Sequence, residues 1–244
     1  MLFSIEKYFF FFLLYSMLGW VYETALCSVR QRSFVNRGFL NGPYCPIYGV
    51  GAVLFLYLLG GEKNALLIFV FGSVIATAVE YFTSFVMEKT FGARWWDYSA
   101  FKFNLNGRVC LGASAVFGAF AVVLIKILHP FVIRMTNTIP AVIFHFVNAT
   151  AAITFICDLT LTLRGSRSLT KRLRDTTEKL TSALSENEQE KAKNTLFDSS
   201  FSRQHKRLLR AFPNMRSQKY GSALENVRSN VNKNKKGLAK NPKR

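Results

Sequence analysis

Five apolar runs, each near the ~20 residues a helix needs to cross a ~30 Å hydrocarbon layer, dominate the first two-thirds of the chain. They are roughly Tyr8 to Val29, Tyr44 to Gly60, Ala65 to Met87, Val109 to His129 and Pro140 to Leu163. The second is short and carries Gly49, Gly51 and Gly60, which predicts a tilted or partly re-entrant segment. The fifth is the most polar, with His145, Asn148, Thr150, Thr154 and Asp158. The first is too long for a cleaved signal peptide and contains Glu23, so it reads as a retained span. The pattern predicts an all-α membrane protein of about five transmembrane helices.

The polar positions within these runs are written twice. Ser16, Glu23, Phe34 and Arg37 recur as Ser73, Glu80, Phe91 and Arg94, all at an offset of 57. Beyond them the offset becomes 65, and Leu40-Asn41-Gly42-x-x-Cys45 recurs as Leu105-Asn106-Gly107-x-x-Cys110. The difference is an insertion carrying Trp95, Trp96, Asp97 and Tyr98. This predicts a duplicated two-helix hairpin, about 8–60 and 65–129, followed by a fifth helix at 140–163.

On a 3.6-residue period Ser16, Trp20, Glu23, Cys27 and Arg30 share one face of the first helix, as do Ser73, Thr77, Glu80 and Ser84 on the third. A carboxylate in a membrane helix turns to the protein interior or to a wet cavity, so both stripes are expected to face inward. Glu23 lies seven residues before Arg30, about 10 Å inside the edge of the layer at 1.5 Å per residue. Such a group either pairs with a cation or gives up its charge. Arg37 and Arg94 are the expected partners if their loops fold back; each pair could also serve only to lock its own hairpin.

The loops are dense in side-chain amides and glycines. Asn36-Arg37-Gly38-Phe39-Leu40-Asn41-Gly42-Pro43 suits a compact fold whose backbone N–H groups form an anion-binding nest, and Asn104-Leu105-Asn106-Gly107-Arg108 repeats the arrangement. Plain Asn-Gly turns leading into helices are the blander reading. The candidate binding residues are thus Glu23, Glu80, Arg37, Arg94, Asn41, Asn106, Asp97 and Arg108, with no catalytic residue assigned. Trp95, Trp96 and Tyr98 read as interfacial anchors. His145 and Asn148, spaced i, i+3, with Asp158 nearer the other end, fit either a proton or ion path or an interhelical hydrogen bond.

Charge sets an orientation. Arg30, Arg32 and Arg37 follow the first helix, and Lys89, Arg94, Lys102 and Arg108 the third, against Lys7, Lys63, Lys126 and Arg134 on the other side. The positive-inside rule then predicts cytoplasmic motif loops, an outside N-terminus and a cytoplasmic tail. The chain carries a formal +18, and from Arg164 onward 21 Lys and Arg stand against 7 Asp and Glu. A tail of this kind is drawn to anionic lipid. Nucleic acid is disfavoured, since no nucleic-acid module accompanies the charge. Within the tail, Leu169, Leu173, Leu180 and Leu184 mark an amphipathic helix, Arg203 to Phe212 a short basic helix able to lie on a bilayer, and the stretch past Pro213 reads as disordered. Cys27, Cys45, Cys110 and Cys157 read as small buried residues, and no metal or cofactor motif is evident.

Gly19-Trp20-x-x-Glu23, Asn36-Arg37-Gly38-Phe39-Leu40-Asn41-Gly42-Pro43-Tyr44-Cys45-Pro46-Ile47-Tyr48-Gly49, Glu80-Tyr81, Trp95-Trp96-Asp97-Tyr98-Ser99 and Asn104-Leu105-Asn106-Gly107-Arg108 together resemble the bacterial family called putative ABC-transporter type IV, or CmpB-like, over about residues 10 to 163. The resemblance implies a transporter permease of the bacterial inner membrane. The chain has no G-x-x-x-x-G-K-[ST] phosphate loop, so a separate ATP-binding subunit would be required. Residues 1–163 are then a polytopic membrane domain and 164–244 a basic cytoplasmic tail. Five helices make a small permease, which would need a dimer or a partner to enclose a path. Two other readings use the same residues. In one, the arginines clamp a phosphorylated or anionic amphiphile at the cytoplasmic face of a membrane enzyme, with Glu23, Glu80 or Asp97 as base. In the other, the membrane part anchors an adaptor or regulator.

Overall fold

The computed structural model describes residues 2–182, 202–217, 220–221 and 224–225. The elements are α1 (Leu2–Gln31), α2 (Pro46–Leu59), α3 (Ala65–Phe91), a two-stranded hairpin of β1 (Asn104–Leu105) and β2 (Val109–Cys110), α4 (Leu111–Val123), α5 (His129–Asn137), α6 (Ala141–Ser182) and α7 (Arg203–Ala211). A π-helical turn, Leu124–Leu128, joins α4 to α5 without a break. Its cause is Pro130, which has no N–H to offer the Lys126 carbonyl and whose ring would crowd it; widening the preceding turn relieves both.

Among the described residues four helices are long and apolar enough to cross a membrane: Ile5–Gln31, Ala65–Phe91, Leu111–Asn137 and Ala141–Asp175. The protein is therefore an all-helical, multi-pass membrane protein. The second of the five expected spans falls short of the others. At 14 residues, α2 rises about 21 Å, less than a ~30 Å hydrocarbon layer. The fifth runs past its expected end at Leu163, because the residues after it continue the helix to Ser182.

The chain forms two compact units, Met1–Phe85 with Asp97–Leu161, and Val86–Trp96 with the described residues from Thr162 on. In the first unit Phe11, Tyr15, Phe55, Ile68, Leu124 and Val132 form the centre of an apolar cluster drawn from α1 to α5. Between apolar helices in lipid there is little hydrophobic drive, so close backbone approach and polar contacts decide the packing. Ser16 Oγ and Ser73 Oγ each donate back to the carbonyl four residues earlier, Phe12 at 2.7 Å and Phe69 at 2.8 Å. A glycine packs on each: a Cβ on Gly49 would overlap Ser16 Oγ and the Phe12 carbonyl, and one on Gly118 would overlap Ser73 Oγ. Tyr15 and His129 add a hydrogen bond of 2.8 Å, and His145 meets Glu6 at 2.5 Å. The polar residues of α6 thus include an interhelical contact, while Asn148 donates to its own helix at Phe144.

The second unit is built on the ends of α3 and α6. Trp95, expected as an interfacial anchor, is 3 % exposed and stacks edge-on with Phe91 and Phe212. Arg94 and Arg216 form an antiparallel bridge, with N–H to carbonyl distances of 2.7 and 2.8 Å. The basic helix α7 does not lay its apolar face on a bilayer: Leu208, Leu209 and Ala211 are buried in this unit. Leu169 and Leu173 are buried too, on a continuation of α6 and not on a separate amphipathic helix. Leu184 of that stripe and most of the stretch past Pro213 lie outside the described residues. Burial biases His205 toward its neutral form. Its Nε2–H donates to the Gly165 carbonyl at 3.1 Å and its Nδ1 accepts from the Ser202 N–H at 3.4 Å, while burial lowers its pKa.

Two outcomes are expected. Gly49→Ala forces α1 and α2 apart and costs about 1–3 kcal/mol, read as a lowered unfolding temperature in detergent, whereas Gly51→Ala, whose Cβ meets nothing within 4 Å, leaves it unchanged. Because the folded state binds the His205 proton less readily than the unfolded chain, the second unit loses stability as pH falls below about 6.5. Amide protection factors in α7, which remove the intrinsic pH dependence of exchange, should fall between pH 7.5 and 5.5, and His205→Gln should remove that fall.

Candidate functional site

The loop between α1 and α2 does not run out into solvent; it climbs back along α1. Val35 N–H donates to Ser28 Oγ at 3.0 Å, Arg37 N–H to Thr24 Oγ1 at 3.3 Å, and Asn36 Oδ1 accepts from Trp20 Nε1 at 2.7 Å. Cys45 N–H then reaches the Ser16 carbonyl at 2.9 Å. Residues 28, 24, 20 and 16 are successive rungs of one helical face, so the polar stripe of α1 is a ladder for the returning loop. This also explains the shortness of α2, which starts alongside the middle of α1.

Glu23 sits on this ladder between two partners. Tyr48 of α2 donates to its Oε1 at 2.7 Å, and Arg37 Nε lies 3.5 Å from its Oε2. The expected Glu23–Arg37 pair is present. The expected anion nest is also present, and its occupant is the protein itself. Asp158 of α6 accepts from Asn41 N–H at 3.2 Å, Asn41 Nδ2 at 2.9 Å and Gly42 N–H at 2.7 Å.

The second loop returns along α3 by different chemistry. Asn106 and Gly107, at φ 53° and 65°, make the turn between β1 and β2, closed by Arg108 N–H to the Leu105 carbonyl at 3.0 Å. Both central positions require the left-handed region, which Asn and Gly tolerate best. Asn106 Nδ2 donates to Tyr81 Oη at 3.0 Å, and Arg108 lies over the Tyr81 and Phe85 rings while its Nη1 donates to Ser84 at 3.3 Å. Asp97 accepts from the N–H and hydroxyl of Ser99, closing its own turn. Further along, Thr77 and Ser114 hydroxyls meet at 2.6 Å.

Glu80 is where the two halves part. Its Oε1 accepts from the Tyr98 hydroxyl at 2.9 Å; Arg94, expected as its partner, instead pairs through Nε with Glu88 Oε2 at 3.3 Å in the second unit. Burial pushes the Tyr98 hydroxyl well above the usual phenol range, with Glu80 beside it adding to the shift, so Tyr98 remains a donor. Glu80 is 6 % exposed, and its Oε2 has no hydrogen-bond partner among the described residues. Glu80 also lines a cavity of about 280 Å³ formed by α1, α2, α3 and the α4–α5 helix, with Tyr15, Gly19, Tyr22, Tyr48 and Phe117 on its walls. Tyr48 thus faces the cavity while its hydroxyl holds Glu23.

Of the eight residues singled out from sequence, Glu80 reaches the cavity wall and Glu23 lies behind Tyr48. Arg37 and Asn41 brace the first loop, Asn106 and Arg108 the second, Asp97 closes its own turn at Ser99, and Arg94 belongs to the other unit. Among the described residues no cluster of His, Cys, Asp or Glu could hold a metal ion. A family model described as Putative ABC-transporter type IV matches residues 10–163.

The chain belongs to this family. No match was found to a curated protein or to a solved structure. The matched span of this ABC-transporter type IV family member holds both loops, both carboxylates and the cavity. It also holds the site residues that the sequence did not single out, Tyr48 and Tyr98. A buried carboxylate calls for a donor, and a tyrosine in each adjoining segment was the available signal. Asp158 was noted as an intramembrane acid, but its place in the Asn41-Gly42 nest depends on the packing of α6.

Asp158→Ala is expected to release the first loop, removing three hydrogen bonds to a charged acceptor at about 1.5–3 kcal/mol each at most. Cys45, buried now with its thiol 3.5 Å from the Arg37 carbonyl, should then be alkylated at least about tenfold faster relative to Cys157, an effect of the order that 1.4 kcal/mol of local opening produces. Peptide mass spectrometry of the labelled protein reads this directly.

Proposed function

We propose that this family member is the membrane-embedded permease component of an ABC-type transporter, working with a separate ATP-binding subunit. The observation that carries the reading is the cavity among α1 to α5, with one buried carboxylate on its wall and a second linked to it through Tyr48. Ionisable groups placed inside a membrane protein and facing a cavity are the usual markers of a substrate or ion pathway. The parallel Ser16–Gly49 and Ser73–Gly118 contacts support a duplicated hairpin, and transporters built from repeats place their sites where the repeats meet.

The basic loops and tail favour an orientation with the motif loops and the C-terminal part in the cytoplasm and the N-terminus outside, and the membrane on this reading is the bacterial inner membrane. The ATP-binding subunit would dock on those loops, and the basic tail would meet anionic lipid. A second copy or a partner would complete the walls of the path. The enzyme reading draws less support. Arg37 is engaged by Glu23, Arg108 by Ser84 and two rings, and the loop nest by Asp158, so the groups that would clamp a phosphate have protein partners.

The deciding experiment is affinity purification of the tagged protein in mild detergent. A stoichiometric ATP-binding subunit is expected; a tightly bound phosphorylated lipid with no such subunit would overturn the reading in favour of an enzyme. In a transport-competent complex Glu23→Gln and Glu80→Gln should each lower transport more than about tenfold, which corresponds to 1.4 kcal/mol, with membrane accumulation unchanged. Loss of accumulation in either would mark that carboxylate as a hairpin lock.

A further inference from the structure

Each carboxylate of the first unit's ladder and nest has a matched set of donors, except one. Glu23 has a guanidinium and a phenol, and Asp158 has two backbone amides and a carboxamide. Glu80 has a single phenol on Oε1, its Oε2 is buried and has no hydrogen-bond partner among the described residues, and the residue lines the cavity. A charged carboxylate held away from water is stabilised by a cation at hydrogen-bond range. Among the described residues no Lys or Arg lines the cavity. A cation that enters the cavity would supply the missing positive charge.

The remaining walls define the rest of such a ligand. Tyr22, Tyr48, Phe117 and Phe120 form a linked aromatic surface, with centroids 5.1 Å apart for Tyr22 and Phe120, 5.8 Å for Tyr48 and Phe117, and 6.1 Å for Phe117 and Phe120, each pair edge to face. Aromatic faces attract cations through the ring quadrupole, most strongly where water is excluded, and walls of this kind suit alkylated ammonium groups. The volume of about 280 Å³ sits at the lower end of small-molecule sites and admits a ligand with a single ring or a short alkyl chain. An anion would be repelled by Glu80. A neutral hydrocarbon would leave Oε2 as it is.

We propose that the cavity is a binding site for a hydrophobic organic cation, an amine or quaternary ammonium, whose charge lies beside the Glu80 carboxylate and whose apolar part lies against the four rings. The inference rests on the permease reading for its meaning as a substrate class, but binding can be measured without transport.

The test is calorimetric titration of the full-length protein in maltoside with phenyltrimethylammonium and, separately, with the uncharged 2-phenyl-2-propanol, of nearly the same shape. The cation should bind at least about tenfold more tightly, 1.4 kcal/mol of preference. Glu80→Gln, which keeps an acceptor for Tyr98, should abolish that preference and leave the alcohol within about twofold, or 0.4 kcal/mol. Gly51 lines the cavity and a Cβ there meets nothing within 4 Å, so Gly51→Leu should fill the space and eliminate binding of both probes with the fold intact. Equal affinity for the two probes, a preference that survives Glu80→Gln, or binding of neither would overturn the proposal. Cation binding without a co-purifying ATP-binding subunit would sink the permease reading and leave this site standing; a subunit without cation binding would do the reverse.

Discussion

A backbone that re-enters an apolar layer must find a partner for each N–H and carbonyl within the protein, because lipid offers none. The first unit is organised by that requirement. Its two long loops return along the helices they leave, and α1 and α3 supply the donors and acceptors. The serines, threonine and tryptophan of α1 that look out of place in a membrane span are the rungs on which Val35, Asn36, Arg37 and Cys45 rest. The short α2, the bare backbone at Gly49 and the position of Tyr48 beside Glu23 all follow from where that descent ends.

The two halves meet the same requirement in different ways, and the difference concentrates chemistry at one place. In the first half an arginine from the loop reaches the glutamate of the helix. In the second, the insertion brings Tyr98 to Glu80, and Arg94 engages Glu88 and the Arg216 backbone. A phenol replaces a guanidinium. One carboxylate is thereby neutralised within its own hairpin, and the other keeps an oxygen in reserve.

Much of this was legible in the sequence because it rests on periodicity. Apolar runs located four of the long helices, and the i, i+4 spacing of Ser16, Trp20 and their neighbours marked the inward face. The Asn-Gly pairs announced folded loops, and the Glu23–Arg37 pair followed from a buried charge needing an opposite one. What was not legible depends on register in three dimensions. Nothing in the spacing of Glu80, Glu88 and Arg94 says which acid the arginine meets, since a loop whose direction is unknown can reach either. Asp158 fills the Asn41-Gly42 nest only because α6 passes beside a loop more than a hundred residues earlier. Trp95 reads as an interfacial anchor by composition, yet Phe91 and Phe212 enclose it. The apolar stripe of α7 fits a bilayer or a protein surface equally well, and the choice was made by Trp95's unit.

The energetic argument for function is one of contrast. An unpaired buried acceptor costs on the order of 1–3 kcal/mol, more when charged, and this fold shows repeatedly that it can supply donors at little cost. It does so for Asp158 with three N–H groups and for Glu23 with an arginine. Tyr48 lines the same cavity as Glu80 and has a hydroxyl to give, but that hydroxyl is committed to Glu23. A carboxylate lock for the second hairpin would need only the bond Tyr98 already provides. The second oxygen adds nothing to such a lock. With Glu80 lining an aromatic cavity, a positive charge in that space would offset the unpaired oxygen, and a site that gains from occupancy is what a transport path requires.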